Sequence, residues 1–204
     1  MGLVKKAAAC APADERRAHE RDLDGLLAQL RGTGAEERRR AALDLAGVVG
    51  AVPALLAAAE AEQQPTVRDA LLTTLAAHDL PEVAHHLAGW LAGDDAARRN
   101  AAVVALQAMP GGSAAVLDDL LTRGDVRVRT LAVMVLSALV HPGVPAWLES
   151  VVERDEEENV VAAAVDTAQL TDDALARRLA ERAAARFPAN PYLRFLLTLA
   201  AGAR

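Results

Sequence analysis

An arginine followed seven residues later by a leucine recurs along the chain at a nearly constant interval. Successive arginines are 30, 31 and 30 residues apart. A fixed period of about 20–50 residues is the sequence signature of stacked supersecondary units, so the pattern predicts a repeat protein. The four pairs are Arg38 with Leu45, Arg68 with Leu75, Arg99 with Leu106, and Arg129 with Leu136.

A second hydrophobic position lies twelve residues before each arginine, and before Asn159, which stands where a fifth arginine is due. The residues at this position are Leu26, Leu56, Leu87, Leu117 and Trp147. Glycine and proline interrupt the chain between the two hydrophobic segments of a period and between periods, for example at Gly93, Pro81 and Pro110. Each period therefore holds two helices of about ten residues joined by a short turn. An all-α chain with about five helical hairpins is predicted.

The second helix of each hairpin is predicted to have two distinct faces. Positions three and seven after the arginine, such as Ala102 and Leu106, lie on one stripe and point to the core. The position five after the arginine lies about 200° from position three, at about 100° per residue, and the position one after the arginine shares its side. We expect these outward positions to bind a partner, with cover by neighbouring helices as the alternative. They are Arg39, Leu43, Asp69, Thr73, Asn100, Val104, Thr130 and Met134.

Three segments with this pattern, VRDALLTTLAA (67–77), RRNAAVVALQAM (98–109) and VRTLAVMVLSAL (128–139), resemble HEAT repeats. The short period is similar to that of the HEAT-like units of phycobilisome-lyase-type proteins. The resemblance covers about residues 22–167 and implies a right-handed α-solenoid whose second helices line a concave groove. It also implies that the repeated arginines tie adjacent repeats together, and a row of anion-binding residues is the alternative. These arginines are Arg38, Arg68, Arg99 and Arg129.

The chain is predicted to have three parts: a flexible or partly helical arm over 1–21, the repeat region over 22–167, and a helical cap over 168–204. The fifth hairpin is degenerate because it lacks the arginine. After it, Thr171-Asp172-Asp173 predicts the N-cap of the first of two capping helices. Terminal repeats differ from internal ones because they close an otherwise open core. The aromatic residues of this end, Phe187, Tyr192 and Phe195, are expected to seal it.

Composition excludes several classes of partner. Aromatic residues make up 2% of the chain and the net charge is -6, so neither a base-stacking platform nor a phosphate-neutralising surface is expected. The single cysteine, Cys10, cannot form an internal disulfide, and no segment matches a signal peptide or a membrane span. A cytoplasmic protein without nucleic-acid or membrane partners is predicted, and its alanine- and arginine-rich composition favours a bacterial source.

Residues with catalytic or metal-binding chemistry are scarce. No phosphate-binding glycine loop, Gly-x-Ser-x-Gly elbow, His-Glu-x-x-His or Cys-x-x-Cys motif occurs, so neither catalysis nor a cofactor is predicted. A weak metal-site candidate surrounds the turn between the second and third hairpins, and consists of His78, Asp79, Glu82 and His86. The alternative is that the acidic residues favour a helix N-terminus and the histidines are solvated. The acidic run 153–158 is expected to be a solvated loop, with steering of a basic partner as its alternative.

Two functions remain compatible with the sequence. The first is a non-catalytic scaffold or adaptor that binds a protein, a peptide or a second copy of the chain through the groove. The second is a cofactor-handling protein, since repeats of the phycobilisome-lyase type occur in proteins that attach or detach bilins. We identify no set of residues in the sequence that must hold a tetrapyrrole.

Overall fold

The computed structural model describes residues 22–202, so the predicted arm over 1–21, with Cys10, lies outside the described part. The described residues form twelve α-helices and one 3-10 turn, Val49–Ala51, with no β-strand, which confirms the all-α prediction. The helices are α1 (Leu23–Leu30), α2 (Ala35–Asp44), α3 (Val52–Ala61), α4 (Pro65–Ala77), α5 (Pro81–Leu91), α6 (Ala96–Gln107), α7 (Pro110–Arg123), α8 (Val126–Leu136), α9 (Val144–Arg154), α10 (Glu158–Thr171), α11 (Asp173–Arg186) and α12 (Pro191–Gly202).

The chain divides into two compact units, Met1–Thr74 and Leu75–Arg204, called unit 1 and unit 2 below. The division falls inside α4. In unit 1, α1 packs against α2. The hydroxyl of Thr74 on α4 donates to the carbonyl of Ala42 on α2 at 2.9 Å in the buried interior. A buried hydrogen bond therefore joins the second helices of the first two hairpins.

In unit 2 each helix packs against helices that are near it in sequence. The first helices α5, α7, α9 and α11 contact one another in succession, as do the second helices α6, α8, α10 and α12. The two helices of each hairpin also contact each other. The apolar core of unit 2 lies between these two sets of helices, because both sets direct their buried side chains there.

The predicted core stripe of the second helices is confirmed. All eight of its side chains have a relative exposure of 1% or less: Ala41, Leu45, Leu71, Leu75, Ala102, Leu106, Ala132 and Leu136. The second hydrophobic position is wrong by one residue in two hairpins, where Leu55 and Leu148 are fully buried in place of the half-buried Leu56 and Trp147. The deviation is one residue earlier in the second hairpin and one residue later in the fifth, although both hairpins have turns of three residues.

Aspartate or proline begins most helices of unit 2. Asp95, Asp125 and Asp172 are the N-caps of α6, α8 and α11, and each carboxylate accepts a hydrogen bond from the first turn of its helix. Proline occupies the first turn of α5, α7 and α9, where its missing N–H costs nothing. The predicted N-cap after the fifth hairpin is therefore confirmed as Asp172, and α10 extends to Thr171, past the predicted start of the cap.

The C-terminal end of unit 2 is sealed by leucines rather than by aromatic rings. Leu193 and Leu196 on α12 are buried, whereas Tyr192 and Phe195 are 46% and 53% exposed. The hydroxyl of Tyr192 hydrogen-bonds with both carboxylate oxygens of Asp166 on α10, at 3.1 and 3.0 Å. The expectation that these two aromatic residues close the core is wrong, because the helical register of α12 directs its leucines inward.

Candidate functional site

The four repeat arginines share one contact. Each guanidinium donates to a backbone carbonyl in the turn between the two helices of its own hairpin. These bonds run from Arg38 to Gly32 at 3.1 Å, from Arg68 to Glu62 at 2.6 Å, from Arg99 to Gly93 at 2.9 Å and from Arg129 to Gly124 at 2.8 Å. Carbonyls at the end of a helix lack intrahelical partners, so the second helix satisfies the end of the first. Each arginine thereby holds its own hairpin together.

Two of these arginines also bind a buried carboxylate in the following hairpin. Arg38 Nε and Nη2 donate to Glu62 at 2.8 and 3.0 Å. Arg129 Nε and Nη2 donate to Asp155 at 2.6 and 3.1 Å. Both carboxylates lie at the end of the first helix of the next hairpin, in the turn after α3 and after α9. These bidentate ion pairs link adjacent hairpins, and their planar geometry requires arginine rather than lysine.

The carboxylate of Glu62 is saturated with donors. In addition to Arg38, the backbone N–H groups of Gln63 and Gln64 donate to its Oε1 at 3.0 and 2.9 Å. The bond from Arg38 is the main cause that lowers the pKa of Glu62 below its usual range, and burial opposes it. The same bond raises the pKa of Arg38. The pair is therefore ionised and internally neutral, so it presents no free charge to a ligand.

The acidic run 153–158 is not a uniformly solvated loop. Asp155 in this run is 8% exposed, binds Arg129 and accepts the backbone N–H of Glu157 at 2.9 Å. Arg186 on α11 donates to the carbonyl of Asp155 at 2.8 Å. The fifth hairpin lacks its own repeat arginine, so an arginine from the C-terminal helix pair supplies the turn contact there. The other acidic side chains of the run are exposed.

A cleft lies beside each of the two ion pairs. Cleft 1, in unit 1, has a volume of about 520 Å³ and is lined by the end of α1, by α3 and by the first turns of α4. Cleft 2, in unit 2, has about 370 Å³ and is lined by the end of α7, by Arg129 and by α9. The clefts are equivalent under the repeat, since their lining residues on α3 and α9 are three 31-residue periods apart. Cleft 1 is larger because Ala58 and Ala61 stand where cleft 2 has Val151 and Arg154.

Seven of the eight outward positions of the second helices are exposed, as predicted. Leu43, Val104 and Met134 have exposures of 38%, 66% and 46%. Arg39, Asp69, Thr73 and Asn100 are also exposed, and Thr130 is half-buried. In unit 2 the amide of Gln107 on α6 donates to the carbonyl of Met134 on α8 at 2.8 Å, which fixes the two helices side by side. Partner binding by this face stays a prediction.

Three of the four candidate metal ligands, Asp79, Glu82 and His86, have separate structural surroundings. The carboxylate of Asp79 accepts the backbone N–H groups of Gly111 and Gly112 at 2.9 and 2.7 Å, at the start of α7. Glu82 lies in the first turn of α5, and the ring of His86 contacts the edge of Trp90. Both carboxylates thus favour helix N-termini. No group of three or more histidine, cysteine, aspartate or glutamate side chains in the described residues is placed to hold a metal ion.

Sequence reasoning did not name Glu62 as a partner of Arg38, although a signal was available. Glu62 and Asp155 lie three 31-residue periods apart, and both follow the first helix of a hairpin. The role of Trp147 was also missed, because the pattern placed it in the core. Its Nε1 donates to Asp118 on α7 at 2.8 Å, and no sequence motif marks that contact.

Comparisons with known proteins give no match: neither a family model nor a curated protein matches this chain. Among the helices of residues 22–202, none combines the length and the apolar character that a membrane crossing requires. A function must therefore be inferred from the residues of the chain itself.

Proposed function

We propose that the chain is a HEAT-like α-solenoid that acts as a non-catalytic scaffold and binds a protein or peptide through the outward face of its second helices. In this proposal the second helices line the concave side of a right-handed superhelix. The period of 30–31 residues, the buried stripe at positions three and seven, and the succession of helix contacts within unit 2 support it. The arginine–carboxylate pairs have a structural role, since each is already neutral.

Exposed apolar side chains on α6 and α8 carry this proposal. Val104 is 66% exposed and Met134 46%, while Leu106 and Leu136, two residues further along the same helices, are fully buried. The bond from Gln107 holds the two helices in place before any partner arrives. A preformed surface loses little conformational entropy on binding, and a methionine adapts its shape to different partner side chains.

The surroundings of Val104 and Met134 suit a helical partner. Ala108 and Ala138, four residues after Val104 and Met134 and just past the ends of α6 and α8, are exposed and small, so a partner backbone can approach closely there. Exposed Asn100 supplies a polar edge on the opposite side. An amphipathic helix that presents apolar residues one turn apart would bury Val104 and Met134 and leave its polar face in solvent.

The test is the double substitution Val104→Glu and Met134→Glu. Since both side chains are exposed, we expect helical circular dichroism and the melting temperature to change little. Partners captured from cell lysate by the wild-type chain and identified by mass spectrometry should be lost, or a homodimer should dissociate in analytical ultracentrifugation. Two buried charges per complex are expected to weaken binding at least 100-fold, because neither carboxylate would have a cationic partner.

The matched control carries the same two added charges elsewhere. Val49 and Val140 are 62% and 87% exposed and lie in connections between hairpins. The double variant Val49→Glu and Val140→Glu should retain every partner. If the Val104 and Met134 variant unfolds, these two side chains belong to the core. If it folds and binds as the wild type does, the partner uses another surface.

A further inference from the structure

Cleft 1 is lined by a small residue at the sequence position where unit 2 carries a large aromatic ring. Ala54 on α3 lines cleft 1, and three 31-residue periods later the chain has Trp147 on α9. The indole of Trp147 reaches from α9 to α7, where its Nε1 donates to Asp118. An aromatic ring therefore spans the two first helices in unit 2. The methyl group of Ala54 cannot span the corresponding distance between α3 and α1.

Cleft 1 has an apolar wall and a cationic side chain. Buried Leu30, Val67 and Leu71 form the wall together with the alanines of α3. Arg38 and Glu62, which also line the cleft, neutralise each other through two hydrogen bonds. The exposed side chain of Arg31 also lines it and supplies its positive charge. The cleft thus matches a ligand that is apolar at one end and negatively charged at the other.

We propose that cleft 1 binds a phenylalanine side chain of a partner polypeptide, with a carboxylate of that partner beside Arg31. The volume of about 520 Å³ exceeds that of a phenyl ring and leaves space for the adjoining backbone. The ring contacts the alanines of α3 and the leucine wall, and joins α3 to α1 as Trp147 joins α9 to α7. Removal of the ring from water provides most of the binding free energy.

The position on α1 that aligns with Asp118 carries no carboxylate, which favours phenyl over indole. When Arg38 is aligned with Arg129, Leu27 takes the position of Asp118. An indole in cleft 1 would have no carboxylate at that point to accept its N–H, and burial of an unpaired N–H opposes binding. A phenyl ring has no such donor. The preference for a carboxylate follows from the charge of Arg31, which can donate two parallel hydrogen bonds to it.

The direct test uses 3-phenylpropanoate, and 3-phenylpropanamide as its neutral analogue, with the intact chain. Amide chemical shifts of α3 in 1H–15N NMR spectra should change saturably, with a dissociation constant on the order of millimolar for so small a ligand. The propanoate should bind about two- to fivefold more tightly than the amide, since Arg31 is exposed to solvent. Arg31→Gln should abolish this preference while both probes still bind.

Two substitutions fill the cleft with residues that unit 2 already carries. Ala54→Trp and Ala58→Val should each weaken binding of both probes, the first at least tenfold. Ala58→Val is the smaller change. It replaces Ala54→Trp as the test variant if circular dichroism shows that Ala54→Trp does not fold. Ala28→Trp is the control, because Ala28 is an exposed residue of α1 outside the lining of cleft 1, and it should bind as the wild type does.

Three results would overturn the inference. The first is no saturable change at α3, and the second is binding that neither cleft-filling variant weakens. The third is binding that appears only after removal of residues 1–21, which would assign the cleft to the chain's own N-terminal segment. None of these results bears on the outward face of the second helices, since Val104 and Met134 lie in unit 2 and their variants leave cleft 1 unchanged.

Discussion

The repeat arginines hold different groups although they occupy one sequence position. Arg129 binds the buried carboxylate of Asp155, whereas at the corresponding point after Arg99 the chain has Gly124. A side chain at Gly124 is excluded, because its Cβ would lie 2.6 Å from Cγ1 of Val128 and 2.9 Å from the carbonyl of Leu120. Packing against Val128 and the Leu120 carbonyl therefore excludes a carboxylate side chain for Arg99 at this point. The period locates the arginines, but it does not reveal this clash.

We predict that Arg129→Met is more destabilising than Arg99→Met. The first leaves the buried carboxylate of Asp155 unpaired, which costs about 3–5 kcal/mol. The second removes a hydrogen bond to a turn carbonyl and should cost about 1–2 kcal/mol. Urea unfolding monitored by circular dichroism measures both. The double variant Arg129→Met and Asp155→Leu should regain most of the loss, because no unpaired charge remains; equal effects of the two single changes would contradict this account of the pair.

At the scale of the helix, the sequence pattern was sufficient to predict the buried stripes and the residues at which most helices begin. Buried positions recur every three or four residues, and aspartate or proline marks where a helix begins. The start of α7 is different. Its N-cap residue, Met109, has no capping side chain, and Asp79 supplies the cap from 32 residues earlier in the chain. Since no other hairpin repeats that spacing, the period contains no signal for it.

Asp79 combines this cap with an unusual backbone conformation. Its φ of 48° lies in the left-handed region, which aspartate tolerates better than most residues. The turn that ends α4 thereby aims the carboxylate at Gly111 and Gly112. A Cβ on Gly111 would lie 2.9 Å from Oδ2 of Asp79, so glycine is needed for this approach.

We predict that Asp79→Ala destabilises the fold more than Asp79→Gly. Both variants lose the cap of α7, which is worth about 0.5–2 kcal/mol. Alanine must in addition adopt the left-handed conformation, which costs about 1–2 kcal/mol, whereas glycine adopts it freely. Chemical denaturation of the two variants should therefore differ by about 1 kcal/mol in favour of glycine. If alanine were as stable as glycine, the positive φ would not be a feature of the folded chain.

At the scale of the molecule, the sequence predicted the all-α class and gives no signal at Thr74, where the two compact units meet in sequence. The pattern continues without change from Arg68 to Leu75 across that point, because each second helix has the same buried stripe. The repeat period also could not predict the two clefts. Their volumes depend on which small or large side chains the repeat tolerates on α3 and α9, and Ala54 and Trp147 are equivalent in position but opposite in size.

The succession of helix contacts in unit 2 has a consequence for how stability is distributed. Where each helix touches only those near it in sequence, free energy is a sum of local contributions, and a defect is felt mainly by its neighbours. Leu106 on α6 and Leu193 on α12 are both fully buried and lie at opposite ends of the succession. Each truncation to alanine should cost about 2–5 kcal/mol locally.

We therefore predict that hydrogen exchange followed by mass spectrometry separates the two variants. Leu193→Ala should speed exchange in α10, α11 and α12 while α5 and α6 keep the protection of the wild type. Leu106→Ala should speed exchange in α5 to α8 and leave α12 nearly unchanged. The reason is that no described contact transmits the loss directly from one end to the other. Uniform loss of protection throughout residues 75–202 in both variants would instead show a single cooperative core, and would reject the solenoid account of this unit.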